Sequence, residues 1–408
     1  MAILRFILDG LREMFRGSRN YWLWLMVLTV VVAYGATRYA QQVMNGLVVT
    51  GMSDQVSWGF YIANFAFLVG IAAAAVLLVI PAYIFHRKDI KEVVLVGEGM
   101  AVAAVTMAIL FVVVDLGRPD RLWHMIPFIG RFNWPMSLLA WDVLVLSGYL
   151  VLNLAIPFYL LYYRYRGKEA NFRLYFPFVV LAMFWAISIH TVTAFLFSAN
   201  PARPFWHTSL LGPRFIASAF ASGPALIIIT LQVIHKVTQY NVSKSVIDTL
   251  ALIMAIAMQI NLFFVGAELF TDFYNEGAHA ASIHYLFLGL DGFNSLQPWI
   301  WFALTLNVIA VVILMINPLR TNTLYLNIAC VLAFVGIWIE KGMGLVVPGF
   351  VPTPLGEIFE YVPTSVELSV AAGIWAFGIL IFTLLAKAVI AIERGELRYP
   401  EKVSPYSL

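Results

Sequence analysis

Five polar side chains interrupt long apolar stretches of the sequence, namely Asn64, Asp142, His190, Glu268 and Glu340. An ionisable group within a membrane-spanning helix costs about 3 kcal/mol or more, so each ionisable member is a functional candidate by default. An acid and an imidazole can give and take protons. The set therefore suits a quinone, because its two carbonyl oxygens need hydrogen-bond donors and its electrons travel with two protons.

Further charged and aromatic residues lie in the segments that flank these stretches. The set comprises Asp115, Arg118, Asp120, Arg121, His124, Arg203, Trp206, His207 and Arg214. Simpler interpretations stay open, because Asp142 could bond a neighbouring helix and His190 could hold helix ends together. The turn 115–121 could be a self-contained ion-pair loop, and Glu268 and Glu340 lie near predicted helix ends, where a structural role is common.

The elements that must position these groups are membrane-spanning helices. Of the 408 residues, 62% are hydrophobic and only 12% are charged, against roughly 25% charged in a soluble domain. Ten apolar runs are long enough to cross a ~30 Å hydrocarbon core, at 20–40, 59–85, 92–116, 135–163, 174–198, 213–235, 246–274, 297–317, 323–345 and 366–392. The sequence predicts an all-α, multi-pass protein of the cell membrane.

A rise of ~1.5 Å per residue converts these runs into depths below one membrane face. Asp142, His190 and Glu268 come out roughly 10–12 Å deep, and Asn64 and Glu340 about 8 Å deep. Five helices thus contribute to one off-centre polar layer. Most of the 25 Lys and Arg residues fall on the side that holds both termini, so both termini are predicted to be cytoplasmic and the polar layer lies toward the outer face.

Three regions are expected along the chain. Residues 1–19 carry arginines at helical spacing among apolar residues, which predicts an amphipathic helix on the membrane surface. Residues 20–392 form the ten-helix domain, and residues 393–408 form a cytoplasmic tail.

The half of the membrane nearer the termini offers fewer polar groups. Glu98, Thr106, Gln259 and Asn261 could form a proton path from the cytoplasm to the polar layer. Asn and Gln also hold membrane helices together by hydrogen bonds, so a packing role stays open beside the proton path.

Metal cofactors are not expected in this chain. The one cysteine, Cys330, cannot build a cysteine-ligated cluster. Bis-histidine haem ligation needs two facing histidines within the membrane, and only His190 is clearly inside. Iron–sulfur clusters would belong to a partner subunit, and no nucleic acid is expected to bind.

Several short stretches together resemble the NrfD/polysulfide-reductase membrane-subunit family. They are Ser57–Asn64, Asp115–His124, Trp134–Ser137, Trp141–Asp142, His190–Thr193 and Arg203–Pro204. The ten helices and the stretch Glu340–Pro354 look most like the DsrP-type subunit of the sulfate reducers' DsrMKJOP complex, or its archaeal menaquinol-oxidising counterpart.

The resemblance implies a haem-free subunit with two four-helix bundles and additional helices. It would bind menaquinone near the outer face and exchange electrons with an iron–sulfur, ferredoxin-like subunit docked there, with further cytochrome and membrane subunits in the complex. Asp142 and His190 would be the catalytic, quinone-proximal pair. The other predicted quinone contacts are Asn64, Asp115, Arg118, Trp141, Thr193, Arg203, Arg214 and Glu268.

Two other classes of function are alternatives to a quinone-reactive subunit. A secondary transporter or channel is expected to carry inverted repeats and broken helices that meet at the midplane, whereas this polar layer is off-centre and the repeat signal is faint. A purely structural anchor would not need an acid and an imidazole at matched depth.

Overall fold

The computed structural model describes residues 2–238, 240–275, 277 and 280–400. Ten helices in this part are long and apolar enough to cross a membrane. They are α1 (Arg19–Asn45), α2 (Phe60–Tyr83), α3 (Val94–Asp115), α4 (Leu138–Tyr165), α5 (Phe172–Ser198), α6 (Leu211–Thr238), α7 (Lys244–Asn275), α8 (Gln297–Met315), α9 (Thr323–Lys341) and α10 (Ser365–Glu393). The described residues contain no β-strand, so the predicted all-α class is confirmed.

Side chains fix where several of these helices begin. Ser137 caps α4 and Asn171 caps α5, each by accepting a hydrogen bond from a backbone N–H of the first turn. Thr364 and Glu367 form a reciprocal capping box at the start of α10. Caps satisfy N–H groups that have no partner within the helix, and so they fix the residue at which each helix begins. The starting residue in turn determines which later residues face the core.

Two rings of four helices form the centre of the molecule. Helices α2, α3, α4 and α5 pack around one another in the first bundle, and α6, α7, α8 and α9 do so in the second. Helices α1 and α10 pack together as a pair, and α10 lies against α3 of the first bundle. The predicted arrangement of two four-helix bundles with additional helices is therefore confirmed.

The bundles meet where α2 and α5 pack against α6. All of Phe60–Ala73 in α2 is buried, because this helix faces both bundles. The contact is close enough that a Cβ on Gly223 of α6 would lie 1.9 Å from the Cβ of Ala74. Small residues allow membrane helices to approach this closely. The two bundles therefore pack in direct contact where α2 meets α6.

The ends of the helices define two faces. We call the end that holds both termini the terminus face, and the opposite end, with the connections after α1, α3, α5, α7 and α9, the far face. The predicted depth puts the polar layer toward the far face. Assignment of the far face to the outside of the cell stays a prediction.

The N-terminal helix Ala2–Met14 lies at the terminus face. Its Phe6 is buried among the rings of Phe158, Tyr162 and Tyr165, and its Asp9 accepts a hydrogen bond from the Tyr165 hydroxyl at 2.6 Å. These contacts fix the helix against α4, and its membrane-surface placement stays a prediction. Of the predicted tail, residues 401–408 lie outside the described residues.

Candidate functional site

A buried acid–hydroxyl pair joins α4 to α5. The Thr193 hydroxyl donates to Asp142 Oδ1 at 2.8 Å, and neither residue is more than 1% exposed. The two helices run antiparallel, which brings the second turn of α4 beside the last turns of α5. The structure thus brings Asp142, a predicted catalytic residue, against Thr193, a predicted quinone contact.

His190 precedes Thr193 by three residues, so both lie on the same face of α5. The imidazole is 1% exposed, and neither ring nitrogen makes a hydrogen bond of normal geometry within the described residues. Its ring interacts with the carbonyl of Ala186, one turn earlier. A buried polar group left unpaired costs about 1–3 kcal/mol, so this ring offers a donor and an acceptor to whatever binds beside it.

Lys341 is a buried cation at the bundle interface that was not among the predicted site residues. It is the last residue of α9 and is 5% exposed. Its ammonium group lies 3.4 Å from the carbonyl of Phe215, and its charge acts on His190 across the bundle interface. In the sequence, Lys341 lies near the end of the predicted run 323–345, where a charged residue is commonly exposed. Its position next to Glu340, a member of the predicted polar layer, was the signal that could have identified it.

A second polar cluster fills the far-face half of the second bundle. Arg214 on α6 pairs with Glu268 on α7 and, at 3.1 Å, with Glu340 on α9. Asn261 and Asn307 donate to the same Glu340 carboxylate, at 3.2 Å and 2.7 Å for their shortest contacts. Arg214 and Glu268, predicted beside Asp142, instead satisfy one another in this ionic network.

Asn64 has a role in helix packing. Its side-chain oxygen accepts from the indole N–H of Trp338 on α9 at 3.1 Å and from that of Trp375 on α10 at 2.9 Å. Its amide donates to the Phe60 carbonyl one turn earlier at 2.8 Å. The structure therefore places Asn64 as a tie between three helices, with its hydrogen bonds used within the protein.

The connection after α3 contains a local ion pair. Arg118 donates two hydrogen bonds of 2.9 Å to Asp120, both side chains are exposed, and this bonding lowers the pKa of the Asp120 carboxyl. The self-contained loop interpretation fits these two residues. Asp115, at the end of α3, has one buried oxygen without a hydrogen-bond partner among the described residues.

Two further predicted contacts lie at the far face in aromatic surroundings. The Trp141 indole donates to the carbonyl of Pro135 at 2.8 Å, and its half-exposed ring packs on Trp134 with centroids 5.1 Å apart. The Arg203 guanidinium lies 4.6 Å from the ring centre of Phe350. Neither side chain is bonded to Asp142 or His190.

The four residues of the predicted proton path are divided between the bundles. Glu98 and Thr106 lie on α3 of the first bundle, where Glu98 is buried and its Oε2 is unpaired among the described residues. Asn261 is inside the second bundle, whereas the Gln259 side chain is exposed on its outside. The structure does not bring these four side chains together, and a proton path through Glu98 stays a prediction.

Comparison with known proteins identifies the family. A family model described as "Polysulphide reductase, NrfD" matches residues 48–351. The chain belongs to the NrfD family. The resemblance to the NrfD family noted in the sequence is thereby confirmed, and the chain is a multi-pass membrane protein.

Three curated relatives are similar to this chain over most of both lengths. One is a putative membrane subunit of dimethyl sulfoxide reductase from Halobacterium salinarum, 26% identical, with 88% of each chain covered. Another is the Hdr-like menaquinol oxidoreductase integral membrane subunit of Archaeoglobus fulgidus, 27% identical over 91% of this chain and 93% of the relative. The menaquinone reductase integral membrane subunit of Nitratidesulfovibrio vulgaris is 22% identical, with 90% of each chain covered.

Proposed function

We propose that this chain is the quinone-reactive membrane subunit of a multi-subunit respiratory oxidoreductase. It exchanges electrons between menaquinol or menaquinone and an iron–sulfur partner subunit docked on the far face. The names of two relatives, a menaquinol oxidoreductase subunit and a menaquinone reductase subunit, support the substrate class.

The observation that carries the proposal is the buried set Asp142, Thr193 and His190. These residues put an acid and an imidazole on neighbouring helices, and neither ring nitrogen of His190 makes a hydrogen bond of normal geometry among the described residues. A membrane anchor gains nothing from an unpaired imidazole within its packed helices, whereas a quinone site needs such a hydrogen-bonding group.

Each residue has a distinct task in this proposal. Oxidation of a quinol releases two electrons and two protons, and the reverse reaction takes them up. His190 hydrogen-bonds one oxygen of the head group and exchanges its proton, while Asp142 acts as the second proton-exchanging group. Thr193 holds the Asp142 carboxyl in one orientation, since its hydroxyl occupies one carboxyl oxygen.

The test replaces the two titratable groups separately. We expect Asp142→Asn and His190→Ala each to slow menadiol-driven reduction of the partner's clusters at least 100-fold, since general acid–base groups contribute about 10²–10⁴-fold. Absorbance of the clusters in the purified complex measures the rate, and solvent extraction measures bound quinone.

Matched controls come from the terminus face, away from the site. Asp89→Asn removes an acid that pairs with Arg87, and His235→Ala removes a histidine that contacts the Tyr240 carbonyl. Both controls should keep the wild-type rate. Wild-type rates and wild-type quinone content in both Asp142→Asn and His190→Ala would reject the proposed site.

A further inference from the structure

Glu340 and Lys341 are consecutive at the end of α9, yet their side chains enter different parts of the molecule. Glu340 turns into the second bundle, where it accepts hydrogen bonds from Arg214, Asn261 and Asn307. Lys341 turns toward α2 and α6, at the boundary between the two bundles. The acid is fully used in an internal network, and the lysine is not.

The surroundings of the Lys341 ammonium group leave most of its bonding capacity unused. Its one hydrogen bond to a described residue is the 3.4 Å contact with the Phe215 carbonyl, and its nitrogen lies 4.1 Å from the centre of the Phe215 ring. No carboxylate among the described residues lies within 4.0 Å of it. An ammonium group carries three N–H donors, so two remain available.

Space for this cation is provided by a glycine. A Cβ added to Gly70 of α2 would lie 3.3 Å from Lys341 Nζ, a tight contact that the absence of a side chain avoids. The lysine is 5% exposed. A cation buried among membrane helices without a paired carboxylate marks a functional position, because packing alone would be served better by an apolar side chain.

Lys341 lies on the side of the second bundle that meets the first bundle, which carries the proposed quinone site. Its ammonium group lies beside Gly70 of α2 and Phe215 of α6, and α5, which carries His190, packs against α6. Asp142, Thr193 and His190 all belong to the first bundle. Lys341 is therefore a cationic group that the second bundle places at its boundary with the first.

We propose that Lys341 is a further quinone-binding residue, whose ammonium group donates to the second oxygen of the head group and offsets the negative charge that develops there as electrons arrive. This inference rests on the proposed function. It adds that the head group binds across the bundle interface, with proton exchange from the first bundle and charge stabilisation from the second.

The test uses the purified complex with menadiol as substrate. Lys341→Met keeps the apolar stem and removes the charge, so kcat should fall about 100-fold, the scale seen when one donor to a developing oxyanion is removed. Lys341→Arg keeps a cation and should retain at least a tenth of the wild-type kcat. The control is Lys387→Met, because Lys387 pairs with Glu13 at the terminus face and its loss should leave kcat and KM unchanged.

Two measurements separate this role from a structural one. The melting temperature of Lys341→Met and the set of subunits that it retains should match wild type, and partial rescue by arginine would not follow from lost packing. If the methionine variant does not assemble, Lys341→Gln decides. It keeps a polar N–H donor and removes the charge, so it should lower kcat several-fold.

The outcomes also separate the inference from the proposed function. An assembled Lys341→Met complex with wild-type kcat and KM, while Asp142→Asn and His190→Ala are inactive, overturns the role of Lys341 alone. Wild-type kinetics in an assembled Lys341→Gln complex, where that variant must decide, overturn it too. If Asp142→Asn and His190→Ala keep wild-type rates, the site itself is wrong.

Discussion

Thr191 and Thr193 lie two residues apart on α5, and their hydroxyl groups do different things. Thr193 donates to Asp142 at 2.8 Å within the core. Thr191 is partly exposed and donates at 3.0 Å to the carbonyl of Ile187, one turn earlier. The first bond joins two helices and the second lies within one helix. Comparing substitutions at the two threonines therefore measures the effect of the bond to Asp142 alone.

We expect Thr193→Val to slow quinol-driven cluster reduction about 10-fold, which corresponds to ~1.4 kcal/mol for one hydrogen bond to an ionisable group. Valine keeps the shape of the side chain and removes the hydroxyl, so Asp142 loses its fixed orientation. Thr191→Val should stay within about twofold of wild type. Equal rates for the two variants, measured in the same purified complex, would contradict an orienting role for Thr193.

At the residue scale, depth could be predicted from the sequence and direction around the helix could not. Asp142 and His190 were predicted to lie at one depth on adjacent helices, and the bond from Thr193 to Asp142 joins those two helices. Arg214 and Glu268 share the same layer, yet they bond each other and Glu340, because equal depth places residues in a plane without saying which bundle they face. Lys341 was missed for the same reason, because its position near a helix end does not say whether its side chain faces the solvent or the bundle interface.

Among the helices, α1 and α10 make an unusually close contact. A Cβ on Gly35 of α1 would lie 2.7 Å from the Cα of Gly373 on α10 and 3.0 Å from the carbonyl oxygen of Ser369. Both obstacles are backbone atoms, which cannot rotate away as a side chain can. The two helices must therefore separate if either glycine gains a side chain.

Gly35→Ala should destabilise the protein by about 1–3 kcal/mol, the usual cost of overpacking. The measurement is the melting temperature of the purified complex, compared with Gly266→Ala, since a Cβ at Gly266 of α7 meets nothing within 4 Å. The control should melt at or above the wild-type temperature. Indistinguishable melting of the two variants would mean that the α1–α10 contact relaxes at no cost.

Helix positions were predictable because a membrane imposes a length on every apolar run. Each of the ten runs corresponds to one observed helix, with boundaries that differ by a few residues. The break after Ala73, where α2 divides into Phe60–Ala73 and Val76–Tyr83, was not predicted. The residues on both sides of this break are apolar, so hydropathy does not reveal it. The grouping of the helices into two bundles was predicted from the family resemblance and not from hydropathy.

On the scale of the whole molecule, the far face carries apolar side chains where a water-facing loop would be polar. Trp123, Phe128, Trp134 and Met136 are all exposed in the connection between α3 and α4. Phe128 has φ of 70°, a conformation that is strained for a bulky residue. Exposed aromatic patches mark interaction surfaces, and strained residues cluster at functional sites.

This connection is the surface on which we expect the iron–sulfur partner to dock, together with the segment 199–212. Phe128→Asn should weaken retention of the partner during purification at least 10-fold, because it removes an aromatic anchor. Asparagine tolerates a positive φ, so the loop itself keeps its shape. The matched control is Phe85→Asn, since Phe85 is exposed at the terminus face beside the short helix Lys88–Lys91.

Quantitative analysis of the retained subunits after detergent extraction measures retention, and cross-linking mass spectrometry locates the contact. Cross-links from the partner to 117–134 and 199–212 place electron exchange on the same side of the membrane as Asp142 and His190, which keeps the distance between quinone and cluster short. Loss of the partner in Phe85→Asn but not in Phe128→Asn, with cross-links to 86–91 or 164–173, would reverse the docking face. Electrons would then have to cross most of the ~30 Å hydrocarbon core, and the far-face quinone site would have to be abandoned with it.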